Sequence, residues 1–216
     1  MKAVTLYNKG MYLVNGIPAE TAAIPAEEAR RGTIAYSILE AHNVSGNMDK
    51  LQIKFDTFYT GYLGSAQQAQ IVQSFIQRFR RPTDLVVTDP VLGDNGHLYT
   101  GITEEMVREM RQLIRHADII TPNLTELFLL LDKPHQTSLS DAELKTYLKE
   151  LSDAGPEIVI VTSVPVCDNP HMTSVYAYNR NGNRYWKVTC PYLPAHYPGT
   201  GDTFTSVITG SLIQGD

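Results

Sequence analysis

Cysteine is scarce in this sequence, and its scarcity excludes several classes of protein. Cys167 and Cys190 are the only two cysteines among 216 residues. Two thiols give neither a disulfide framework nor a cysteine-based metal cluster. A reducing cytoplasm is therefore the expected compartment.

Long apolar runs and an excess of positive charge are also lacking. No run approaches the length of a membrane span, and the N-terminus has no basic-then-apolar layout of a signal peptide. Lysine and arginine number 18 against 23 aspartates and glutamates, which gives a net charge of −5. We therefore expect neither a membrane nor a nucleic acid as the main partner.

Short apolar strands alternate with amphipathic helices along most of the chain. The predicted strands are Phe55 to Thr60, Leu85 to Thr88, Ile119-Ile120 and Ile158 to Val161, followed by a hairpin from Val175 to Val188. The predicted helices cover residues 25–42, 66–80, 104–116, 124–131 and 141–153, with capping boxes at Ser65 and Ser140. This alternation predicts an α/β fold with a mainly parallel sheet.

Polar residues follow the apolar strands at the points where the strands are predicted to end. These residues are Thr88-Asp89-Pro90, Thr121-Pro122-Asn123 and Thr162-Ser163. Ligands of parallel α/β sheets bind outside the carboxyl ends of the strands. The sequence therefore predicts a site at this edge of the sheet.

A glycine loop runs from Gly199 through Thr200 and Gly201 to Asp202, directly before an apolar-periodic segment. This pattern predicts a helix N-terminus, whose unpaired N–H groups and positive dipole end favour an anion. A carboxylate at such a site is explained if it takes a proton from a hydroxyl that attacks a bound phosphoryl group. The alternative is that Asp202 only caps the helix.

Three carboxylates, Asp89, Asp94 and Glu126, could meet at the same edge. Mg²⁺ on a nucleotide suits one or two carboxylates together with phosphate oxygens. The structural alternatives are turns at Asp89 and Asp94 and a helix first turn at Glu126. Taken together and in this order, the three residues favour the functional interpretation.

The polar residues near these carboxylates can each be interpreted as structural or as functional. Asn123 is an N-cap, a group near the metal and phosphates, or both. Thr162 and Ser163 are either a strand terminus with helix-capping hydroxyls or nucleotide contacts. The Gly-x-x-x-x-Gly-Lys-Ser/Thr loop, the protein-kinase motifs and the dinucleotide fingerprint are all missing from the sequence.

From about Lys54 to Asp216 the sequence resembles the pyridoxal/pyridoxamine kinases of the ribokinase-like superfamily. The matching segments are Thr60-Gly61-Tyr62-Leu63-Gly64-Ser65, Asp89 to Tyr99, Thr121-Pro122-Asn123-Leu124-Thr125-Glu126 and Gly199-Thr200-Gly201-Asp202. The resemblance implies a three-layer sandwich and ATP-dependent phosphorylation of the 5′-hydroxymethyl group of a B6 vitamer. It also implies Mg²⁺ as cofactor, with a homodimer as one assembly to test.

The resemblance implies a role for each matched residue. Asp202 would be the catalytic base, and Gly199, Thr200 and Gly201 would supply the anion hole. Asp89 and Glu126 would bind the metal, directly or through water. The remaining contacts would be Asp94, Tyr99, Asn123, Thr162 and Ser163 at the nucleotide and Tyr62 at the vitamin. The hydroxymethylpyrimidine kinases share most of these residue roles, but the Gly-Tyr-Leu-Gly-Ser and Asp-Asn-Gly segments favour the pyridoxal/pyridoxamine kinases.

Residues 1–54 depart from the kinase pattern. Gly32 to Leu39 and Asn47 to Leu51 resemble the start of an aconitase-family hydratase, although this segment has no cysteine to bind an iron–sulfur cluster. We therefore expect an atypical N-terminal segment over 1–54 and a kinase domain over 55–216 that lacks later helices. The sheet is expected to be incomplete at both ends. An inactive nucleotide-binding fragment is the alternative to an enzyme.

Overall fold

The computed structural model describes residues 12–14, 17–19, 25–31, 33–52, 56–194 and 199–215. The chain divides into two compact units, Met1–Phe55 and Asp56–Asp216. In the first unit, strand β1 (Tyr12–Val14) pairs antiparallel with β2 (Ile17–Ala19). Helices α1 (Ala26–Arg31) and α2 (Ile34–His42) follow.

The prediction of one helix from Pro25 to His42 is wrong, because two helices cover this segment. Thr33 is the N-cap of α2, and its hydroxyl accepts a hydrogen bond from the N–H of Tyr36. The same hydroxyl donates to the carbonyl of Arg30 at the end of α1. A capping threonine competes with continued helix because its side chain satisfies backbone groups locally.

The second unit is built on a six-stranded sheet with the order β10-β9-β8-β7-β4-β3. The strands of this sheet are β3 (Thr57–Thr60), β4 (Leu85–Thr88), β7 (Ile119–Ile120), β8 (Ile158–Val166), β9 (Asn169–Asn179) and β10 (Arg184–Pro191). The pairs β3–β4, β4–β7 and β7–β8 are parallel, and β8–β9 and β9–β10 are antiparallel. The predicted α/β fold with a mainly parallel sheet is confirmed.

Helices cover both faces of this sheet. They are α3 (Ala66–Phe79), α4 (Glu104–Leu113), α5 (Leu124–Leu131), α6 (Asp141–Asp153) and α7 (Thr200–Gln214), with a short 3-10 helix at Ile114–His116 after α4. Val86, Ile120 and Val159 pack with α3 to α6. Their chain neighbours Val87, Ile119 and Ile160 pack with Phe204 and Ile208 of α7. Alternate strand residues thus face opposite helix layers, as a three-layer sandwich requires.

The capping residues define where the helices begin. Ser140 and Glu143 form the predicted capping box of α6, since each side chain accepts from the backbone N–H of the other. At α3 only half of the predicted box is present. Ser65 accepts from the N–H of Gln68, but the side chain of Gln68 accepts from Gly64 instead. Among the described residues, no helix has the length and apolar character needed to cross a bilayer.

Candidate active site

A cavity of about 940 Å³ lies at the carboxyl ends of the parallel strands. Every predicted site residue except Tyr62 lines it. These lining residues are Asp89, Asp94, Tyr99, Asn123, Glu126, Thr162, Ser163, Gly199, Thr200, Gly201 and Asp202. The sheet edge therefore brings together residues that are more than a hundred positions apart in the sequence.

The N-terminus of α7 opens into this cavity without a side-chain cap. Gly199 adopts a left-handed conformation with φ of 85°, and no side chain among the described residues caps this end of the helix. The backbone N–H of Thr203 is the first to donate within the helix, to the carbonyl of Gly199 at 3.0 Å. The N–H groups of Thr200, Gly201 and Asp202 precede it, so this end of the helix suits an anion.

Asp202 occupies the first turn of α7 and is approached from the edge strand β3. The phenolic oxygen of Tyr59 lies 3.5 Å from Asp202 Oδ1. Burial, together with the charges of Asp89 and Asp202, raises the pKa of Tyr59 to about 12, so its hydroxyl remains a donor. Sequence reasoning missed Tyr59, because a tyrosine in an apolar strand gives no signal of a contact with residue 202.

Asp89 is a buried carboxylate between the strand ends and α7, with 5% of its surface exposed. Burial, followed by the negative charge of Asp202, raises its pKa to about 6, although hydrogen bonds from Thr121 and Thr205 oppose the rise. Those two hydroxyl oxygens lie 2.8 Å apart. A cation or a proton between Asp89 and Asp202 would relieve their repulsion.

Glu126 holds two segments of backbone at the cavity wall. Its Oε1 accepts from the N–H groups of Leu92 at 3.0 Å and Gly93 at 3.5 Å. Its Oε2 accepts from the N–H of Asn123 at 2.9 Å, and Asn123 Oδ1 accepts in return from the N–H of Glu126. This capping box confirms Asn123 as the N-cap of α5. Burial raises the pKa of Glu126 to about 8 in spite of the three backbone donors.

Asp94 is carried by a tight hairpin between two short strands, β5 (Gly93–Asp94) and β6 (His97–Leu98). The turn residues Asn95 and Gly96 both have positive φ, 52° and 79°, as the type I′ turn of a two-residue hairpin requires. Two residues at the start of α5 hold this hairpin. Asn123 Nδ2 donates to the carbonyl of Gly93, and Thr125 Oγ1 accepts from the N–H of Gly96.

Tyr99 lines the same wall as Asp94. Burial raises its pKa to about 12, and the charges of Glu126, Asp94 and Asp89 act in the same direction. The hydroxyl of Tyr99 therefore stays protonated beside three carboxyl groups. This arrangement makes Tyr99 a hydrogen-bond donor at the cavity.

Thr162 and Ser163 line the cavity from within β8 and not from its end. The strand was expected to stop at Val161, but it continues to Val166 through an irregularity between Val161 and Val164. Ser163 has a positive φ of 57° there, and a non-glycine residue in this conformation occurs where the surrounding structure fixes it. The prediction of helix-capping hydroxyls is wrong. A bulge cannot be predicted from apolar periodicity.

Tyr62 is the predicted residue that the structure does not bring to the cavity. It is 58% exposed and lies outside the lining set. Its contact with a vitamin stays a prediction. Sequence reasoning also missed the wall that the β8–β9 hairpin and the segment after β10 contribute, including Pro165, Met172 and Tyr192.

The sheet order, the two helix layers and the glycine loop at the carboxyl edge define a protein of the ribokinase-like class. The chain belongs to the phosphomethylpyrimidine kinase family, whose sequence model matches residues 12–216. The match includes most of the segment that resembles a hydratase. That second resemblance, and the boundary at residue 54, stay predictions.

Three relatives define how close the similarity is. A phosphomethylpyrimidine kinase homologue from Bacteroides thetaiotaomicron, crystallised with pyridoxal, is 71% identical with a TM-score of 0.74, over 76% of this chain and 57% of that one. A Plasmodium falciparum PdxK with AMP-PNP and PL is 27% identical with a TM-score of 0.66, over 82% of this chain and 63% of that one. A pyridoxine/pyridoxal/pyridoxamine kinase of Bordetella avium is 35% identical over 72% of this chain and 52% of its own length.

The resemblance to pyridoxal kinases is therefore confirmed at the level of the family. The curated relatives are longer than this chain, which covers 46% and 55% of two of them, from Caenorhabditis elegans and Deinococcus radiodurans. The chain thus spans about half the length of the relatives it matches.

Proposed function

We propose that this chain carries the phosphoryl-transfer site of an ATP-dependent kinase for the 5′-hydroxymethyl group of a B6 vitamer. The observation that carries the proposal is the uncapped N-terminus of α7 with Asp202 in its first turn. A side-chain carboxylate and the first backbone N–H groups of the helix, which have no acceptor among the described residues, then face one cavity. A site that transfers a phosphoryl group to an alcohol needs both a base and an anion cradle.

In this proposal Asp202 accepts the proton of the attacking hydroxyl. The N–H groups of Thr200, Gly201 and Asp202 hold the phosphoryl oxygens, where negative charge is highest during transfer. Since phosphoryl transfer depends mainly on positioning and electrostatics, these fixed donors carry a large part of the catalysis. Thr162 and Ser163, which line the same cavity, would contact the nucleotide.

The donor set of the cavity suits Mg²⁺ that arrives with ATP. Asp202 is close enough for its charge to act on Asp89, and Mg²⁺ prefers one or two carboxylates with phosphate oxygens. When bound, the ion would neutralise phosphate charge. Asp89 is the direct ligand in this proposal. Glu126, whose two oxygens already accept backbone N–H groups, would act by holding the Leu92–Gly93 loop or through water.

The relatives support a B6 vitamer as the acceptor. The Bacteroides thetaiotaomicron homologue, at 71% identity, was crystallised with pyridoxal. The family description instead favours a phosphomethylpyrimidine or its hydroxymethyl precursor, so this is the second candidate. If the chain is such a kinase, we further propose that it acts in the cytoplasmic salvage of B6 vitamers and that it forms a homodimer.

Paired substrate assays test the proposal. The purified chain is incubated with Mg-ATP and, separately, with pyridoxal, pyridoxamine and hydroxymethylpyrimidine, and products are identified by mass spectrometry. The proposal predicts phosphorylated vitamer at the highest kcat/KM. Preferential phosphorylation of the pyrimidine would show that the pyrimidine is the substrate, and the proposed mechanism would be unchanged. A folded chain that binds Mg-ATP and makes no product would contradict the proposed activity.

A further inference from the structure

Tyr59 lies on the face of the sheet that α7 covers. It pairs in register with Val87, which packs with Phe204 and Ile208 of α7, whereas its neighbour Phe58 packs with the core on the opposite face. Because β3 is an edge strand of the described sheet, the phenol reaches the start of α7 from the side. The side chain is thus directed at the first turn that contains Asp202.

The hydroxyl of Tyr59 donates a hydrogen bond to the carboxylate of Asp202 in the first turn of α7. Among the residues that the structure describes, Tyr59 supplies the side-chain hydrogen bond found at the carboxylate of Asp202.

The contact is made to one carboxylate oxygen only. The phenol lies 3.5 Å from Oδ1, and Oδ2 has no hydrogen bond from the part of the chain that the structure describes, so it can meet an acceptor hydroxyl. Gly61 keeps this corner open, because a Cβ there would stand 3.2 Å from Asp202 Oδ1 and 3.5 Å from the Tyr59 oxygen. A donor on one oxygen and space beside it fix the side-chain orientation of a base.

We propose that Tyr59 is a positioning residue for phosphoryl transfer: its hydroxyl orients the carboxylate of Asp202 toward the acceptor alcohol. This inference rests on the proposed function, since it assigns Asp202 the role of base. The phenol gives up no proton in the reaction. Its contribution is to hold the carboxylate in the orientation that accepts one.

Tyr59→Phe tests the inference because it removes only the hydroxyl. We expect kcat to fall about tenfold, the effect of losing one hydrogen bond to a charged group, while KM for ATP and for the vitamer stays within about twofold. Tyr147→Phe is the matched control. Its hydroxyl has a similar contact, 3.5 Å from Gln136 Nε2, but Gln136 does not line the cavity, whereas the partner of Tyr59, Asp202, does. Equal kcat in wild type and Tyr59→Phe would overturn the inference.

A double-mutant cycle shows whether Tyr59 acts through Asp202. In an Asp202→Asn background, Tyr59→Phe should have no further effect on the residual rate, because the carboxylate it positions is gone. An undiminished tenfold effect in that background would overturn the positioning role. A fall in thermal stability without any change in kcat would assign Tyr59 a merely structural role.

A measurement without turnover separates this inference from the proposed function. The side-chain ¹³C carboxyl resonance of Asp202, assigned by its loss in Asp202→Asn, should shift in Tyr59→Phe and not in Tyr147→Phe. If wild type makes no product, the proposed activity fails and the resonance still decides whether the contact exists. A resonance that is unmoved in Tyr59→Phe overturns the inference in either case.

Discussion

Gly61 lies against the carboxylate of Asp202, so that a β-carbon on Gly61 would stand 3.2 Å from Asp202 Oδ1. This spacing is tighter than an ordinary van der Waals contact, and the carboxylate would have to move by a few tenths of an ångström. Gly61 does not have a positive φ, so its backbone conformation alone does not require glycine. The contact with Asp202 is therefore the reason that a larger residue is unsuitable. Glycine here preserves the position of the proposed base.

Gly61→Ala should therefore lower kcat without lowering stability. A displacement of the base by a fraction of an ångström is expected to cost about tenfold in rate. Gly64→Ala is the control in the same segment, because its Cβ would meet Gln68 Oε1 at an ordinary 3.5 Å. Steady-state kinetics and thermal unfolding of both variants check the prediction. Equal rates for the two variants would show that Gly61 does not constrain Asp202.

Glu126→Ala should strongly destabilise the second unit. The substitution leaves the N–H groups of Leu92, Gly93 and Asn123 without their acceptor in a buried place, which costs about 3 kcal/mol or more of unfolding free energy. Urea denaturation measures the loss.

Glu143→Ala is the matched control for Glu126→Ala, because Glu143 occupies the same position of a capping box. Its carboxylate is exposed and caps Ser140, so water can replace it and the loss of stability should be much smaller. Similar losses in the two variants would contradict the account of Glu126 as a buried clamp.

The raised pKa of Asp89 predicts a stability change with pH. Its folded pKa of about 6 lies above its ordinary value of 3.8, so the folded chain binds more protons than the unfolded chain between these values. The stabilising contribution of the protonated group is complete below about pH 4 and is lost as the pH rises through about 6. Above pH 6, ionised Asp89 should cost about 2–3 kcal/mol.

Asp89→Asn should remove this pH-dependent loss. The difference in unfolding free energy between the variant and wild type should grow in favour of the variant from about pH 4 to about pH 6 and then level off. Denaturation at a series of pH values measures it. A difference that is constant across this range would show that Asp89 does not titrate as proposed. The variant should be more stable near neutral pH but less active, as expected where a site carries unfavourable charge.

Gly93→Ala should disrupt the hairpin that carries Asp94. A Cβ on Gly93 would collide with the backbone carbonyl oxygen of His97, which cannot move without breaking the β5–β6 pairing. We expect a loss of about 2–3 kcal/mol, as in other severe steric substitutions. Gly210→Ala is the control, since its Cβ would meet nothing within 4 Å and helix α7 should gain about 0.5–1 kcal/mol. A thermal melt in which Gly93→Ala matches wild type would contradict this packing.

The parallel order of strands and helices in the second unit, and the lining residues at the glycine loop and the first strand ends, follow from the sequence alone. Parallel strands ending in polar residues place Asp89 and Asn123 at one edge, whatever the details of packing. The capping signals at Asn123 and Ser140 act over three residues, so local sequence contains all that is needed to predict them.

Other features depend on contacts that the sequence does not display. The position of Tyr59 beside Asp202 joins two segments 143 residues apart, and only the register of β3 against β4 directs the phenol to α7. The bulge at Ser163 interrupts a strand without interrupting its apolar pattern. The break between α1 and α2 did have a local signal in Thr33, but the amphipathic pattern from 25 to 42 outweighed it in the prediction.

The most direct test of the central claim is the rate of vitamer phosphorylation by Asp202→Asn beside wild type, with the thermal shift on adding Mg-ATP measured for both. The account predicts a phosphorylated vitamer from wild type and a kcat lower by about 100-fold or more in the variant, the usual contribution of a general base. The variant should keep its stabilisation by Mg-ATP. A variant that turns over at the wild-type rate would contradict the assignment of Asp202 as the base and, with it, the proposed mechanism.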